Sequence, residues 1–166
     1  MKRLILMRHA KSSWRDVSLS DFQRPLNKRG MRDAPEMGRR LHRRRLIPDR
    51  ILSSSAERAW STALLVAVET GFPVERIETR ERLYLASGKT LLEAVQGTDE
   101  GCDTLLLVAH NPGITELSNR LGDARTDNLP TAAQHAIDLP VEHWREVATE
   151  MGKTLFLDWP KNDPGL

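Results

Sequence analysis

The chain has 166 residues, of which 39% are hydrophobic and 29% charged, and its formal net charge is +2. This length predicts one domain with a hydrophobic core of its own, and so small a net charge argues against a nucleic-acid-binding protein. The one cysteine, Cys102, excludes an intramolecular disulfide framework and a cysteine-rich metal site, and it suits a reducing compartment.

No apolar stretch is long enough to enter a membrane. The first apolar run, residues 4–7, ends at Arg8, which makes it too short for the core of a signal peptide. A helix that crosses a bilayer needs about 20 apolar residues, and no segment approaches that length. We therefore expect a cytoplasmic protein with no membrane partner.

Short apolar runs alternate with segments of helical periodicity along the chain. The apolar runs predict strands at residues 2–7, 49–53, 74–79, 104–109, 134–139 and 153–159, of which the third has the weakest pattern. Helical periodicity and capping residues predict helices at about residues 27–45, 55–69, 90–96, 112–121 and 141–151. The polar segment 11–25 predicts a loop, and the tail 160–166 an irregular surface segment.

The first two helices carry specific start and stop signals. Asn27 is a favourable N-cap for the first helix, whose apolar stripe consists of Met31, Ala34, Met37, Gly38 and Leu41. Pro35 lies inside this helix and predicts either a kink or a later start. Ser54 or Ser55 is the expected N-cap of the second helix, and Gly71 is expected to end it.

Strands that alternate with helices predict βαβ units and a largely parallel sheet. The run 104–109 has five apolar residues after Thr104 and predicts a central strand covered on both faces. The chain contains no internal repeat and no linker. The expected architecture is therefore one domain over residues 1–166, an α/β three-layer sandwich with helices on both faces of the sheet.

Two histidines directly follow predicted strands. His9 comes after Arg8 at the end of the first strand, and His110 ends the fourth strand just before the helix that starts at Pro112. Ligands of open α/β sheets bind at the carboxyl ends of the strands, and helix N-termini favour anions. A guanidinium matches phosphate oxygens, and a histidine held neutral beside a cation is a competent nucleophile. The alternative is a surface Arg-His pair and a histidine that only hydrogen-bonds a loop.

Arg58 lies in the first turn of the second predicted helix, where the helix dipole disfavours a cation. An arginine in that place indicates a bound anion. The alternative is a solvated arginine that pairs with Glu57 or Asp49.

Taken together and in this order, these segments resemble the histidine phosphatase superfamily, which includes cofactor-dependent phosphoglycerate mutases and acid phosphatases. The matching residues are Arg8-His9-Ala10-Lys11-Ser12, Asp21-x-x-Arg24-Pro25-Leu26, Ser53-Ser54-x-x-x-Arg58-Ala59, Leu83-Tyr84-x-Ala86-Ser87, His110-Asn111-Pro112-Gly113 and Leu129-Pro130-Thr131-Ala132. The short chain is most similar to the SixA-like phosphohistidine phosphatases. Ala10 departs from the glycine of many superfamily members, and the SixA-like group tolerates alanine there.

The resemblance implies a phosphoglycerate mutase-like fold and a phosphatase in which His9 is transiently phosphorylated and then released by water. Arg8, Arg58 and His110 would bind the phosphoryl group. Because two arginines and a histidine supply the donors that phosphoryl transfer needs, we expect no metal and no cofactor. Glu81 lies in a segment similar to the one that carries the general acid of the mutases. The alternative for Glu81 is a surface glutamate.

The expected substrate is phosphohistidine on a signalling or phosphotransfer protein, and no nucleic acid or membrane partner is expected. A small-molecule phosphomonoester phosphatase is the alternative, and a non-catalytic phosphate-binding module is a more distant one. The sequence does not give the oligomeric state, and a monomer is favoured.

Two further features bear on partners. The basic run 39–45 has the pattern of a solvated helix face, with contact to an acidic partner protein or RNA as the alternative. Trp14 lies in the loop after His9 and is expected to border the pocket.

Overall fold

Six strands form one sheet in a computed structural model that describes residues 1–166. They are β1 (Lys2–Arg8), β2 (Arg50–Ser54), β3 (Glu78–Arg80), β4 (Thr104–Ala109), β5 (Gln134–Leu139) and β6 (Lys153–Asp158), in the spatial order β3-β2-β4-β1-β5-β6. Strands β1, β2, β3 and β4 pair in parallel, whereas β5 is antiparallel to both β1 and β6. The predicted, largely parallel sheet is therefore confirmed.

Four helices cover the two faces of this sheet. They are α1 (Lys28–Arg43), α2 (Glu57–Thr70), α3 (Gly88–Gln96) and α4 (Gly113–Leu121). Leu106 and Val108 of β4 pack in one core with α1 and α2, and Leu105 and Leu107 pack in a second core with α3 and α4. Because successive side chains of a strand point to opposite faces, an uninterrupted apolar strand fills both cores. The three-layer α/β sandwich is confirmed, and no helix is long and apolar enough to cross a membrane.

The first helix follows its sequence signals except at two positions. The Asn27 side chain accepts a hydrogen bond from the backbone N–H of Gly30, as expected of an N-cap. The helix already begins at Lys28 and continues through Pro35, so the later start is wrong. Met31, predicted in the apolar stripe, is 52% exposed. Gly30, one turn before Ala34, is buried instead. It packs so closely against Lys11 that a Cβ at Gly30 would collide with the Lys11 carbonyl oxygen.

The predicted N-cap of the second helix is also wrong. Ala56 is the N-cap and makes no side-chain capping bond, while Ser54 still belongs to β2. The Ser54 hydroxyl oxygen lies 2.7 Å from Nε2 of His110, at the end of the neighbouring strand β4. The helix does end at Gly71, whose φ of 77° lies in the left-handed region that glycine adopts without strain.

Two other elements are shorter than predicted. The segment 74–79 forms a 3-10 turn at Val74–Arg76, and only Glu78–Arg80 pairs with β2. The helix predicted at 141–151 is wrong, because the segment has a single 3-10 turn at Trp144–Glu146. Trp144 is fully buried and its indole N–H donates to the Cys102 carbonyl oxygen at 2.7 Å. Anchoring this ring in the core holds the segment in a turn against the start of β4.

Candidate active site

The two histidines singled out by the sequence meet at one edge of the sheet. Arg8 and Ala109 are register partners in the adjacent parallel strands β1 and β4, so His9 and His110 both follow the carboxyl ends of these strands. Their ring centroids are 5.1 Å apart. Convergence at the carboxyl edge is what the parallel pairing predicts.

His9 is held as a neutral imidazole with one nitrogen that makes no hydrogen bond to the protein. The ring is 7% exposed, and its Nδ1 lies 2.8 Å from the Ala10 carbonyl oxygen. A carbonyl oxygen only accepts, so Nδ1 carries the proton and Nε2 keeps its lone pair. Burial, followed by the charges of Arg58 and Arg8, lowers the pKa of His9 to about 4. His9 therefore has the tautomer of a nucleophile at neutral pH.

His110 is held in a tautomer that can donate to an anion. Its Nε2 lies 2.7 Å from the Ser54 hydroxyl oxygen, which also accepts a hydrogen bond from the backbone N–H of Ala56. We assign the Ser54 hydroxyl as donor to Nε2, which leaves the proton on Nδ1. That Nδ1 is buried and has no hydrogen-bond partner within the protein. Burial, together with the neighbouring His9, lowers the pKa of His110 to about 3.

Arg8 and Arg58 are anchored at one end of their guanidinium groups. Nη1 of Arg8 donates to the Leu129 carbonyl oxygen at 2.9 Å. Arg58 is 3% exposed and donates to the backbone and the carboxylate of Asp21, at 2.7 and 3.0 Å. In both arginines Nε is buried without a partner in the protein. Because buried donors are nearly always hydrogen-bonded in folded proteins, these atoms indicate a site for an acceptor.

The histidines and arginines share one cleft of about 230 Å³. It is lined by Arg8, His9, Lys11, Ser12, Trp14, Arg24, Arg58, Leu85, His110, Asn111 and Thr131. Four of these side chains are cationic at neutral pH and none is a carboxylate, so the cleft is suited to an anion. No group of three or more His, Cys, Asp or Glu side chains is arranged to hold a metal ion.

Arg24 and Asp21 complete the site, although the sequence alone predicted no role for either residue. Arg24 is 7% exposed and donates to the Ser12 hydroxyl at 2.8 Å and to Asp21 at 3.1 Å. Asp21 thus accepts from Arg24, from Arg58 and from the Tyr84 hydroxyl. The hydrogen bond from Tyr84, with those from the arginines, lowers the pKa of Asp21 to about 2. The spacing Asp21-x-x-Arg24 was the signal that could have found the pair.

The structure also places Trp14 and Glu81, and it decides between the two interpretations of Arg58. Trp14 lines the cleft, as predicted. Glu81 is exposed, begins the 3-10 turn Glu81–Leu83, and is not among the residues that line the cleft. Arg58 is buried and pairs with Asp21, so its alternative reading as a solvated arginine is wrong.

A sequence model of one protein family and two relatives match this chain. The sequence model of the histidine phosphatase superfamily (branch 1) matches residues 4–84. An uncharacterised chloroplast protein of Arabidopsis thaliana is 33% identical over 132 residues, which are 74% of this chain and 60% of that protein. An uncharacterised protein of Mycobacterium leprae is 30% identical over 125 residues, covering 74% of each. This chain therefore spans about three fifths of the plant relative's length.

Solved structures of phosphatases have the same fold. The protein histidine phosphatase SixA, in complex with tungstate, superposes with a TM-score of 0.80 at 22% identity and covers 95% of this chain and 97% of its own. A proposed SixA phosphohistidine phosphatase from Agrobacterium tumefaciens has a TM-score of 0.75 at 29% identity, over 83% of this chain and 92% of its own. A mycobacterial glucosyl-3-phosphoglycerate phosphatase has a TM-score of 0.64 at 19% identity, over 98% and 100%. The chain belongs to the histidine phosphatase superfamily, with close structural similarity to SixA.

Proposed function

We propose that this protein is a phosphatase that uses His9 as its nucleophile and removes the phosphoryl group from phosphohistidine on a signalling or phosphotransfer protein. One observation carries the proposal. A neutral His9, whose Nε2 makes no hydrogen bond to the protein, lies in a cleft with four cationic side chains and no carboxylate. This arrangement attracts a phosphoryl group and keeps the attacking nitrogen unprotonated.

The reaction has two displacements at phosphorus. In the first, Nε2 of His9 forms a bond to phosphorus while the bond from phosphorus to the substrate imidazole breaks, and the imidazole leaves with the electron pair and takes a proton from water. In the second, a water oxygen attacks phosphorus, loses a proton to solvent, and the bond to Nε2 breaks to release inorganic phosphate. Arg8, Arg58 and His110 donate to the non-bridging oxygens in both steps, so we propose a metal-independent reaction without a cofactor.

The leaving group favours phosphohistidine over alkyl phosphates. An alkoxide leaves with difficulty unless an acid protonates it, whereas imidazole is a much better leaving group. No carboxyl group lines the cleft, and Glu81 lies outside it. A role for Glu81 as general acid would require it to approach the substrate, and it stays a prediction that the experiment below tests.

A small-molecule phosphomonoester phosphatase is the second candidate. The fold is also that of a glucosyl-3-phosphoglycerate phosphatase, which acts on a small phosphate ester. A phosphate-binding module without activity is a third candidate, and the presence of His9 in the cleft with an Nε2 that makes no hydrogen bond to the protein argues against it. We further propose that the protein is cytoplasmic, since the free, buried Cys102 suits a reducing compartment. The single domain and the monomer expected from the sequence stay predictions.

The test is phosphate release from a histidine-phosphorylated phosphotransfer domain and from p-nitrophenyl phosphate. We expect release from the protein substrate to fall by about a thousandfold or more in His9→Ala, because the covalent route is lost. His42→Ala is the matched control, since His42 is exposed on α1 and away from the cleft. An acid-labile phosphate trapped on the wild type by rapid quenching, and absent from His9→Ala, identifies the intermediate.

Other outcomes select the alternatives. Activity on the aryl phosphate alone would assign a small-molecule substrate, and activity that survives His9→Ala would refute the mechanism. Inactivity on both substrates, with phosphate binding retained, would favour the binding module. If Glu81 is the acid, Glu81→Gln slows aryl phosphate hydrolysis much more than phosphohistidine hydrolysis, and equal effects would remove Glu81 from the mechanism.

A further inference from the structure

The cleft has a cationic floor, which consists of Arg8, Arg24 and Arg58. It also has an apolar rim, which consists of Trp14 and Leu85. These are the two hydrophobic residues that line it, and they are 71% and 54% exposed. Single exposed hydrophobic residues are common on protein surfaces. Here two of them line the same cleft as His9 and His110, and neither is placed there by packing in the core.

Trp14 is held on one side by a buried cation. The Arg24 guanidinium lies 3.5 Å from the centroid of the Trp14 ring. Arg24 is in turn held by Ser12 and Asp21. The ring is therefore supported from below by a residue of the phosphate site, while its exposure leaves it accessible to a molecule in the cleft.

Leu85 is held at the rim by a strained backbone between two fixed neighbours. Its φ of 50° lies in the left-handed region, which a leucine rarely adopts. On one side, the Tyr84 hydroxyl donates to Asp21. On the other side, Ala86 approaches α4 so closely that a Cβ on Gly113 would collide with its carbonyl oxygen. Strain of this kind persists where the surrounding structure maintains it, and here it keeps an apolar side chain exposed beside the phosphate site.

We infer that the apolar rim is a leaving-group subsite that selects phosphoryl compounds whose departing atom belongs to a planar aromatic ring. This inference rests on the proposed function and deepens it, because imidazole is such a ring. A ring bonded to a phosphoryl group on the cationic floor would lie between the Trp14 indole and the Leu85 side chain. Offset stacking on the indole, and the removal of apolar surface from water, would favour it over a leaving group without a ring.

Binding of phosphonates tests the rim without requiring turnover. We expect wild-type protein to bind phenylphosphonate about fivefold to tenfold more tightly than methylphosphonate by isothermal titration calorimetry. Trp14→Ala should bring the two affinities within twofold of each other, and Trp14→Phe should keep most of the preference. Val17→Ala is the matched control, because Val17 is an apolar, 95% exposed residue of the same loop that does not line the cleft.

Turnover of two compounds with a phosphorus–nitrogen bond gives a second readout. Trp14→Ala should lower kcat/KM for N-phosphoimidazole by about fivefold to tenfold and leave phosphoramidate, which has no ring, within twofold. An equal loss on both compounds, or equal affinities of the wild type for the two phosphonates, would overturn the subsite and leave Trp14 as a support for Arg24. A protein that prefers phenylphosphonate but hydrolyses neither compound would retain the subsite and refute the proposed function.

Discussion

Each histidine and arginine of the site hydrogen-bonds the protein through some of its nitrogens and has another nitrogen without a protein partner. His9 uses Nδ1 on the Ala10 carbonyl, His110 uses Nε2 on Ser54, and Arg8 and Arg58 use terminal nitrogens on Leu129 and Asp21. These bonds determine which histidine nitrogen carries the proton and which guanidinium nitrogens face a ligand. These donors are therefore held in place by the protein itself, as a preorganised anion site requires.

Asp21 is the residue through which two arginines share one carboxylate. We expect Asp21→Ala to lower kcat/KM by about tenfold to a hundredfold, because Arg24 and Arg58 lose the acceptor that orients them. Tungstate inhibition should weaken in parallel, and Tyr84→Phe should have a smaller effect in the same direction. Asp16→Ala is the control, since Asp16 is exposed and bonds only to Ser18. Unchanged activity in Asp21→Ala would mean that the arginines need no such support.

At the scale of elements, the basic run on α1 connects that helix to the sheet. The prediction of a solvated face is wrong for Arg40 and Arg44, which donate to Asp158 of β6 at 3.1 and 3.0 Å. Arg40 is 7% exposed and Asp158 is 1% exposed. The Arg44 guanidinium also lies 3.8 Å from the Phe156 ring centroid. Arg40 and Arg44 thus join α1 to the last strand and are not available for docking a partner, whereas His42, Arg43 and Arg45 are exposed.

Removal of the Asp158 carboxylate takes one acceptor from two buried or half-buried cations, of which Arg40 keeps an ion pair with Glu36 at 3.4 Å. We expect Asp158→Ala to lower the free energy of unfolding by about 3–5 kcal/mol, measured by urea denaturation. Asp163→Ala, an exposed change in the tail that follows β6, should stay within about 0.5 kcal/mol of the wild type. Folded Asp158→Ala should keep its activity, because Asp158 does not line the cleft. A loss below about 1 kcal/mol would show that the pairs only offset their own desolvation.

At the scale of the whole molecule, three buried histidines make stability depend on pH. Burial is the main cause that lowers the pKa of His9 to about 4, of His110 to about 3 and of His135 to about 4. His135 lies between the hydroxyls of Ser118 and Thr154, at 2.6 and 2.8 Å, and joins α4 to β5 and β6. The folded protein keeps all three neutral at a pH at which the unfolded chain has protonated them.

The unfolded state therefore binds more protons between pH 6.5 and pH 4, and the free energy of unfolding falls as the pH falls through this window. Near pH 5 the difference approaches three protons, which corresponds to about 4 kcal/mol per pH unit. Urea denaturation at pH 7, 6 and 5 measures this slope. His135→Asn should reduce it by about a third, whereas exposed His42→Asn should not. A stability that is constant from pH 7 to pH 5 would contradict the buried, neutral state of the three rings.

The sequence by itself determined the features that depend on local patterns. The apolar runs located β4 and β5 at the observed residues, Asn27 and Gly71 marked the observed helix ends, and the strand-end motifs named the histidines that share the cleft. Hydrophobic periodicity and capping act over a few residues, and parallel pairing then brings strand ends together by rule.

Only the tertiary structure decided the contacts between residues far apart in the chain. Asp21 pairs with Arg58, 37 positions later, and Arg40 pairs with Asp158, 118 positions later. The same holds for Trp144, which reaches the Cys102 carbonyl and keeps its segment in a single turn. No local pattern encodes such partners, because their distance in space follows from the order of the strands and the packing of helices on both faces of the sheet.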